Sequence, residues 1–303
     1  MRHVQRVLVS APAKVNLALR VGGPRPDGFH PLDTVFEAID IFDDVEVRPA
    51  PELTVSISGL GEDLPTDESN LAIRAGRALQ SRVREEGLDC PAGANIRITK
   101  RIPVAGGMAG GSADAAATLV ALNELWGLGL SAEELRAIGG ELGSDVPFAL
   151  MGGLAHGVGR GEELAPLRAG AMHAWVLLTR EHGLSTPAVF RQFDAMYPGA
   201  GEPADTAELR AALAGPAIDT VAALLANDLQ PPACALRPEI GAEIELIEAA
   251  GRAVVLSGSG PTIAVLTSPE QAEELAAQMR ADFPYDVHIA YGPTAGAHVR
   301  MAE

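Results

Sequence analysis

Lysine is nearly missing from this chain. Of 23 basic residues only Lys14 and Lys100 are lysines, so arginine serves wherever a generic surface cation is wanted. Cysteine is equally scarce. Cys90 and Cys234 are too few and too unpatterned for a disulfide framework or a metal knuckle, and the expected setting is a reducing cytoplasm. The seven histidines show no metal-ligand spacing. No apolar run approaches the roughly 20 residues that cross a bilayer. Residues 1–10 carry charges but no apolar stretch, so neither a membrane partner nor a signal peptide is expected. Net positive charge is absent as well. The formal charge is −17 with no basic stripe to offset it, which excludes nucleic acid as a partner. An anionic substrate is repelled except where local cations gather. A monomer or weak homodimer is expected.

What is present supports a sizeable core: 303 residues with 47% hydrophobic content suffice for two domains. The pattern predicts strands at 4–9 and 15–21 with Ala11-Pro12-Ala13 between them, then strands at 45–47, 53–58 and 95–100. Helical periodicity covers 70–84 with Ser69 or Asn70 as N-cap, and an alanine-rich helix opens at Ser112 and ends near Gly127. Ser131 to Glu134 reads as a capping box. Beyond a boundary placed between 153 and 170, strand 175–179, helix 186–193, further helices, strands 252–256 and 262–267, helix 269–282 and strand 286–291 follow. Apart from the extra helices that order is β-α-β-β-α-β, a split-βαβ arrangement. The division expected is 1–160 and 161–303.

The most informative stretch is Pro103-Val104-Ala105-Gly106-Gly107-Met108-Ala109-Gly110-Gly111-Ser112-Ala113. A strand feeds this glycine loop and a helix leaves it, which are the parts needed to hold a phosphate. Glycines let backbone N–H groups converge on an anion, and a helix start adds unpaired N–H groups and the positive end of its dipole. The spacing is not that of a Walker A loop, nor does an acidic ribose contact follow as in a dinucleotide fold. A structural turn is the competing reading. The two lysines weigh against it, since a compact ammonium suits a single phosphate oxygen in a tight space. Lys100 ends the strand beside the loop, and Lys14 sits in an apolar strand pattern.

Three more segments carry unusual residues: Ala11 to Leu17 with Asp27 to His30, Gly143 to Phe148, and Leu256 to Thr262. The order P-A-K-x-N, P-x-x-G-G-M-x-G-G-S, S-D-V-P and S-G-S-G-P-T resembles the GHMP kinase superfamily over essentially the whole chain. Within it, Asp27 to Thr34 looks like the signature of the 4-diphosphocytidyl-2-C-methyl-D-erythritol kinase family. That family usually has tyrosine where this chain has Phe29, so a phenol hydroxyl is missing while ring stacking survives. Ala109 replaces a common glycine, which argues against positive φ there and narrows the room for phosphate. Asp114 stands where a small polar residue is common.

The resemblance implies an α+β fold of two domains, ribosomal-S5-like at the N-terminal side and ferredoxin-like at the C-terminal side. It implies ATP and Mg²⁺, and transfer of the γ-phosphoryl to the 2-hydroxyl of 4-diphosphocytidyl-2-C-methyl-D-erythritol. Homoserine or mevalonate phosphorylation, or binding without catalysis, are the alternatives. Asp145 is then either the base or the N-cap of the turn that follows. Lys14 would keep Asp145 ionised and stabilise the alkoxide, and Asn16, on the same strand face, would orient the hydroxyl. Residues 103–113 would hold the ATP phosphates, with Ser112 either a metal or phosphate contact or the helix N-cap. Lys100 and Asn70 would reach the nucleotide, unless Asn70 is only a cap. Phe29, His30 and Phe190 would receive the cytidine group, with core packing the competing role for Phe190. The turn at 257–261 either contacts substrate, supports the phosphate loop, or is structural only. No carboxylate cluster marks metal ligands.

Overall fold

Apolar residues recur from Val7 to Val21 without a gap long enough to end a strand, and the computed structural model makes a single strand of them. It describes residues 4–85, 87 and 91–303; Cys90 lies outside these. The break expected at Ala11-Pro12-Ala13 is absent. Pro12 has no N–H to donate, and the pairing register with the next strand slips between Pro12 and Ala13. That bulge carries the strand past the missing donor.

In chain order the elements are β1 (Val7–Val21), β2 (Leu32–Ala50), β3 (Thr54–Gly59), α1 (Leu71–Glu85), β4 (Gly93–Lys100), α2 (Gly110–Trp126), α3 (Ala132–Leu142), α4 (Val146–Met151), β5 (Leu154–Val158) and β6 (Glu163–Leu167). A second series begins at β7. It comprises β7 (His173–Thr179), α5 (Thr186–Met196), α6 (Ala207–Leu213), α7 (Ile218–Ala222), β8 (Ala226–Asn227), α8 (Gln230–Leu236), α9 (Pro238–Ala249), β9 (Ala253–Leu256), β10 (Ile263–Thr267), α10 (Ala272–Asp282), β11 (Asp286–Gly292) and β12 (His298–Ala302).

The first sheet runs β12-β1-β2-β4-β3, with β5 and β6 extending from β2 and β8 pairing β1. Helices α1 and α2 cover one face, and their apolar residues join those of β1, β2 and β4 in the larger core. Helix α2 is buried nearly all round because its alanines let it lie close to the sheet. The second sheet has the order β11-β7-β10-β9, antiparallel throughout. With α10 between β10 and β11 this is the ferredoxin-like arrangement that the element order implies. Strands β6, β8 and β12 lie beyond residue 160 yet pair within the first sheet, so the two layers share chain across the expected division.

A buried carboxylate ties the layers together. Glu37 on β2 is fully buried and accepts hydrogen bonds from His173 Nδ1 (2.9 Å) and Trp175 Nε1 (3.0 Å) on β7. The cavity described next is lined from both sides of that junction. Among the described residues no helix is long and apolar enough to cross a membrane.

Candidate active site

A cavity of about 960 Å³ opens between the two layers, near the upper end of the usual size for small-molecule sites. The glycine loop forms one wall. Pro103, Val104, Ala105, Gly106 and Gly107 line it, as do Ala109, Gly110 and Gly111. Met108 instead packs into the core, and Ala113 is buried inside α2. The helix starts two residues earlier than its sequence pattern suggests, at Gly110, so Ser112 lies inside the first turn and is not the N-cap. Ala109 holds that position with φ 61°, a left-handed backbone that an alanine was expected to avoid. Ala105 also has positive φ, at 52°. The first bond within the helix is Ala113 N–H to the Ala109 carbonyl, and no side chain caps the end. The amides of Gly110, Gly111 and Ser112 therefore precede the helical ladder and are free to meet an anion.

The turn at 257–261 braces this loop. Ser257 Oγ donates to the Gly107 carbonyl at 3.1 Å, and Thr262 N–H donates to that of Gly106 at 3.4 Å. The fit is close: a Cβ on Gly107 would stand 2.0 Å from the Ser257 carbonyl oxygen. Gly107 is therefore required both for its φ of 78° and for its lack of a side chain.

Lys14 and Asn16 meet as their strand spacing implies. Lys14 Nζ donates to Asn16 Oδ1 (2.5 Å) and to the Gly107 carbonyl (2.7 Å). Asn16 Nδ2 donates to Thr34 Oγ1 at 2.9 Å, and Thr34 donates on to the Ala18 carbonyl at 2.7 Å. Burial pushes the Lys14 ammonium below its ordinary pKa, and the negative charge of Asp145 partly restores it. Asp145 stands at the N-cap position of α4, yet its carboxylate makes no capping bond and lines the cavity instead. The capping role weighed from sequence is thus not the one its side chain takes.

Lys100 lines the same cavity, beside the glycine loop. Its ammonium is 3% exposed and lies 2.6 Å from both Asp43 Oδ2 and Asp114 Oδ2. Asp43 Oδ1 accepts the Arg101 and Ile102 amides at 2.6 and 2.9 Å, which fixes where the loop begins. Burial pulls Lys100 down, but Asp114 and Asp43 outweigh it and the pKa ends above the ordinary value. Burial raises the Asp114 carboxyl to about 7 against the pull of Lys100. Asp114 Oδ1 is buried without a partner, and Asp114 lines the cavity. Asn70 is the cap of α1: its Oδ1 accepts Ala72 N–H at 2.9 Å and its Nδ2 donates to the Pro65 carbonyl at 2.7 Å. Both ends of its amide are engaged, and it does not line the cavity.

Phe29, His30 and Phe190 line the same cavity. Phe29 is half exposed and has the Arg160 guanidinium 5.0 Å from its ring centre. The His30 ring leans on Phe190 with centroids 4.8 Å apart and meets Phe193 edge-on at 5.9 Å. Phe190 thus joins the site as well as the core edge. His30 Nε2 lies 2.7 Å from Asp194 Oδ1. Asp194 escaped sequence reading, although it lies one helical turn beyond Phe190 and so shares its face. Arg160 and Asp43 were also missed, because nothing local marks them. No group of three or more His, Cys, Asp and Glu side chains suited to a metal occurs among the described residues.

Comparison with known proteins bears on this geometry. The family model described as GHMP kinases N terminal domain matches residues 70–153, and that described as GHMP kinases C terminal matches 209–284. A protein of Nocardia farcinica named 4-diphosphocytidyl-2-C-methyl-D-erythritol kinase is 48% identical over 299 residues, covering 97% of this chain and 96% of its own length. Its namesake from Kineococcus radiotolerans is 46% identical over 286 residues, covering 91% and 86%. A crystal structure of a 4-(cytidine 5'-diphospho)-2C-methyl-D-erythritol kinase superposes with a TM-score of 0.72 at 32% identity, covering 94% of this chain and 98% of that one. A homoserine kinase from Cytophaga hutchinsonii, at 20% identity and a TM-score of 0.67 over 97% of each chain, shares the fold.

Proposed function

The chain belongs to the GHMP kinases and, within them, to the 4-diphosphocytidyl-2-C-methyl-D-erythritol kinase family, and on that premise we propose how its cavity performs the reaction. The protein is an ATP-dependent kinase that phosphorylates the 2-hydroxyl of 4-diphosphocytidyl-2-C-methyl-D-erythritol. The observation that carries the assignment of roles is the placement of Asp145 and Lys14 on the cavity that the uncapped start of α2 also faces. Asp145 takes the proton of the 2-hydroxyl as its oxygen attacks the γ-phosphorus, and the bond to the β-phosphate bridging oxygen breaks to release ADP. Lys14, fixed by Asn16 and Gly107, stabilises the negative charge on the attacking oxygen. Asn16 aligns the hydroxyl. The loop amides from Gly106 to Ser112 hold the phosphates.

Phe29 and Phe190 enclose the cytosine, and Arg160, beside Phe29, meets the diphosphate that links cytidine to the erythritol part. Mg²⁺ suits a site that offers one or two carboxylate oxygens beside substrate phosphates. The unpartnered Asp114 Oδ1 fits it, and the Ser112 hydroxyl, in the first turn of α2, would be a second ligand. When bound, the ion neutralises phosphate charge. The sparse cysteines support a cytoplasmic setting. The test is ADP release from ATP and Mg²⁺ with the cytidylated substrate beside homoserine and mevalonate. Turnover confined to the first is expected; turnover confined to either of the others overturns the reading.

A further inference from the structure

Arg180 follows β7 and is buried, its side chain 4% exposed. It does not line the cavity. Glu243 on α9 accepts from its Nη2, and the Tyr285 hydroxyl donates to the same carboxylate at 2.6 Å. The guanidinium lies over the Tyr285 ring, 4.4 Å from its centre. Held in this way, Nη1 donates to the Pro261 carbonyl at 2.5 Å. Nε is buried with no acceptor among the described residues, so the group is aimed at two oxygens rather than fully bonded. Stability is a poor account of this cluster, because a buried ion pair is often no better than apolar side chains of the same volume.

The Pro261 carbonyl shares a rigid peptide plane with the Thr262 N–H, and in a trans peptide the two point in opposite directions. The oxygen faces Arg180, and the N–H donates to the Gly106 carbonyl at 3.4 Å. That carbonyl in turn shares a plane with the Gly107 N–H, which has no acceptor among the described residues. Asn227 grips the turn at its other end, through the Leu256 and Gly258 carbonyls at 2.7 Å, and leaves the Pro261–Thr262 plane to Arg180. We infer that Arg180 is a positioning residue for the nucleotide: through two successive peptide planes it sets the direction of the Gly107 N–H without touching the ligand, a role that rests on the kinase reading's assignment of the phosphates to this loop. Hydrogen bonds aligned in a chain also strengthen one another. Loss of the guanidinium frees the first plane to turn, and the second follows it.

Three variants separate this role from plain support of the fold. Arg180→Met removes the donor from Pro261 but strands Glu243, so it should melt at a lower temperature than wild type. Combining it with Glu243→Leu removes the stranded carboxylate and should restore most of that stability. Glu243→Gln keeps an acceptor for Nη2 and leaves the bond to Pro261 in place. A non-hydrolysable ATP analogue with Mg²⁺ should bind roughly tenfold more weakly to both Met variants, a factor equivalent to about 1.4 kcal/mol. Glu243→Gln should bind it as wild type does. The KM for ATP should rise in step with the lost affinity, while the KM for the cytidylated substrate stays unmoved. A merely structural cluster would regain nucleotide affinity together with melting temperature in the double variant. Hydrogen exchange at the Thr262 amide, followed without nucleotide, should quicken several-fold in both Met variants and not in Glu243→Gln. Wild-type turnover of the cytidylated substrate checks the kinase reading separately, and the exchange result stands whatever the loop binds. Wild-type affinity for the analogue in the double variant, or Thr262 exchange indifferent to the loss of Arg180, overturns the inference.

Discussion

Lys14 Nζ donates to the carbonyl of Gly107 at 2.7 Å, which ties the buried cation of β1 directly to the backbone of the glycine loop. The residue proposed to meet the nucleophile and the loop proposed to hold the nucleotide are therefore one mechanical unit. A shift of either is felt by both.

Replacing Asp145 with asparagine should lower kcat by about 10²-fold or more, the range expected for loss of a general base. The KM for ATP should stay close to wild type. Because the carboxylate makes no capping bond, the melting temperature should also be nearly unchanged. Wild-type kcat in this variant would remove Asp145 from the reaction.

The scarcity of lysine makes a direct titration possible. ¹⁵N-lysine labelling yields two side-chain signals, one for Lys14 and one for Lys100. Burial lowers the first, so it should lose its proton below the ordinary 10.5. Asp114 and Asp43 overcome burial at the second, so it should titrate above that value. Asp145→Asn takes away the charge that supports the Lys14 ammonium and should move its midpoint further down. Two coincident midpoints would contradict the buried geometry of both.

Lys100→Met should destabilise the protein by ~3–5 kcal/mol, because it strands two carboxylates where one ammonium held them. Asp114→Asn should cost less, since its carboxyl is already raised to about 7 and gives up its charge readily. Denaturant unfolding measures both. The reverse order would mean that Lys100 serves the nucleotide more than the fold.

At the loop, Gly107→Ala should weaken binding of a non-hydrolysable ATP analogue at least tenfold and lower the melting temperature, since the added Cβ meets the Ser257 backbone. Gly111→Ala has only the tip of Leu71 within reach, at 3.6 Å, and should keep full stability. Equal melting temperatures for the two variants would show that the loop is free of the 257–261 turn.

Phe29→Ala should raise the KM for the cytidylated substrate about ten- to a hundredfold, as expected when a stacking ring worth ~1–3 kcal/mol is lost. The KM for ATP should not move. If the effects fall the other way round, the two nucleotides occupy each other's assigned ends of the cavity.

Local chemistry made much of this readable. Lys14 and Asn16 share a strand face by alternation alone, the 131–134 capping box forms as its residues dictate, and the order of elements after residue 170 carries the second sheet. What could not be read depends on partners remote in sequence. Lys100 lines the cavity beside the glycine loop, but that Asp43, 57 residues away, shares its ammonium with Asp114 is not legible locally. Ala109 takes a left-handed backbone because the path from loop to helix demands it, against the preference of the residue itself. The β5–β6 hairpin is short and rich in glycine around its turn, and it reveals itself only through the pairing of β5 with β2.

The pairing of β12 with β1 has a consequence for how the molecule is made. Residues 298–302 leave the ribosome long after 7–10, the segment they pair with. Until then the strand that carries Lys14 has an open edge beside Val7 to Ser10, with backbone donors and acceptors free to recruit another chain. A product cut short before residue 298 keeps that edge open, its backbone groups left to pair with another chain.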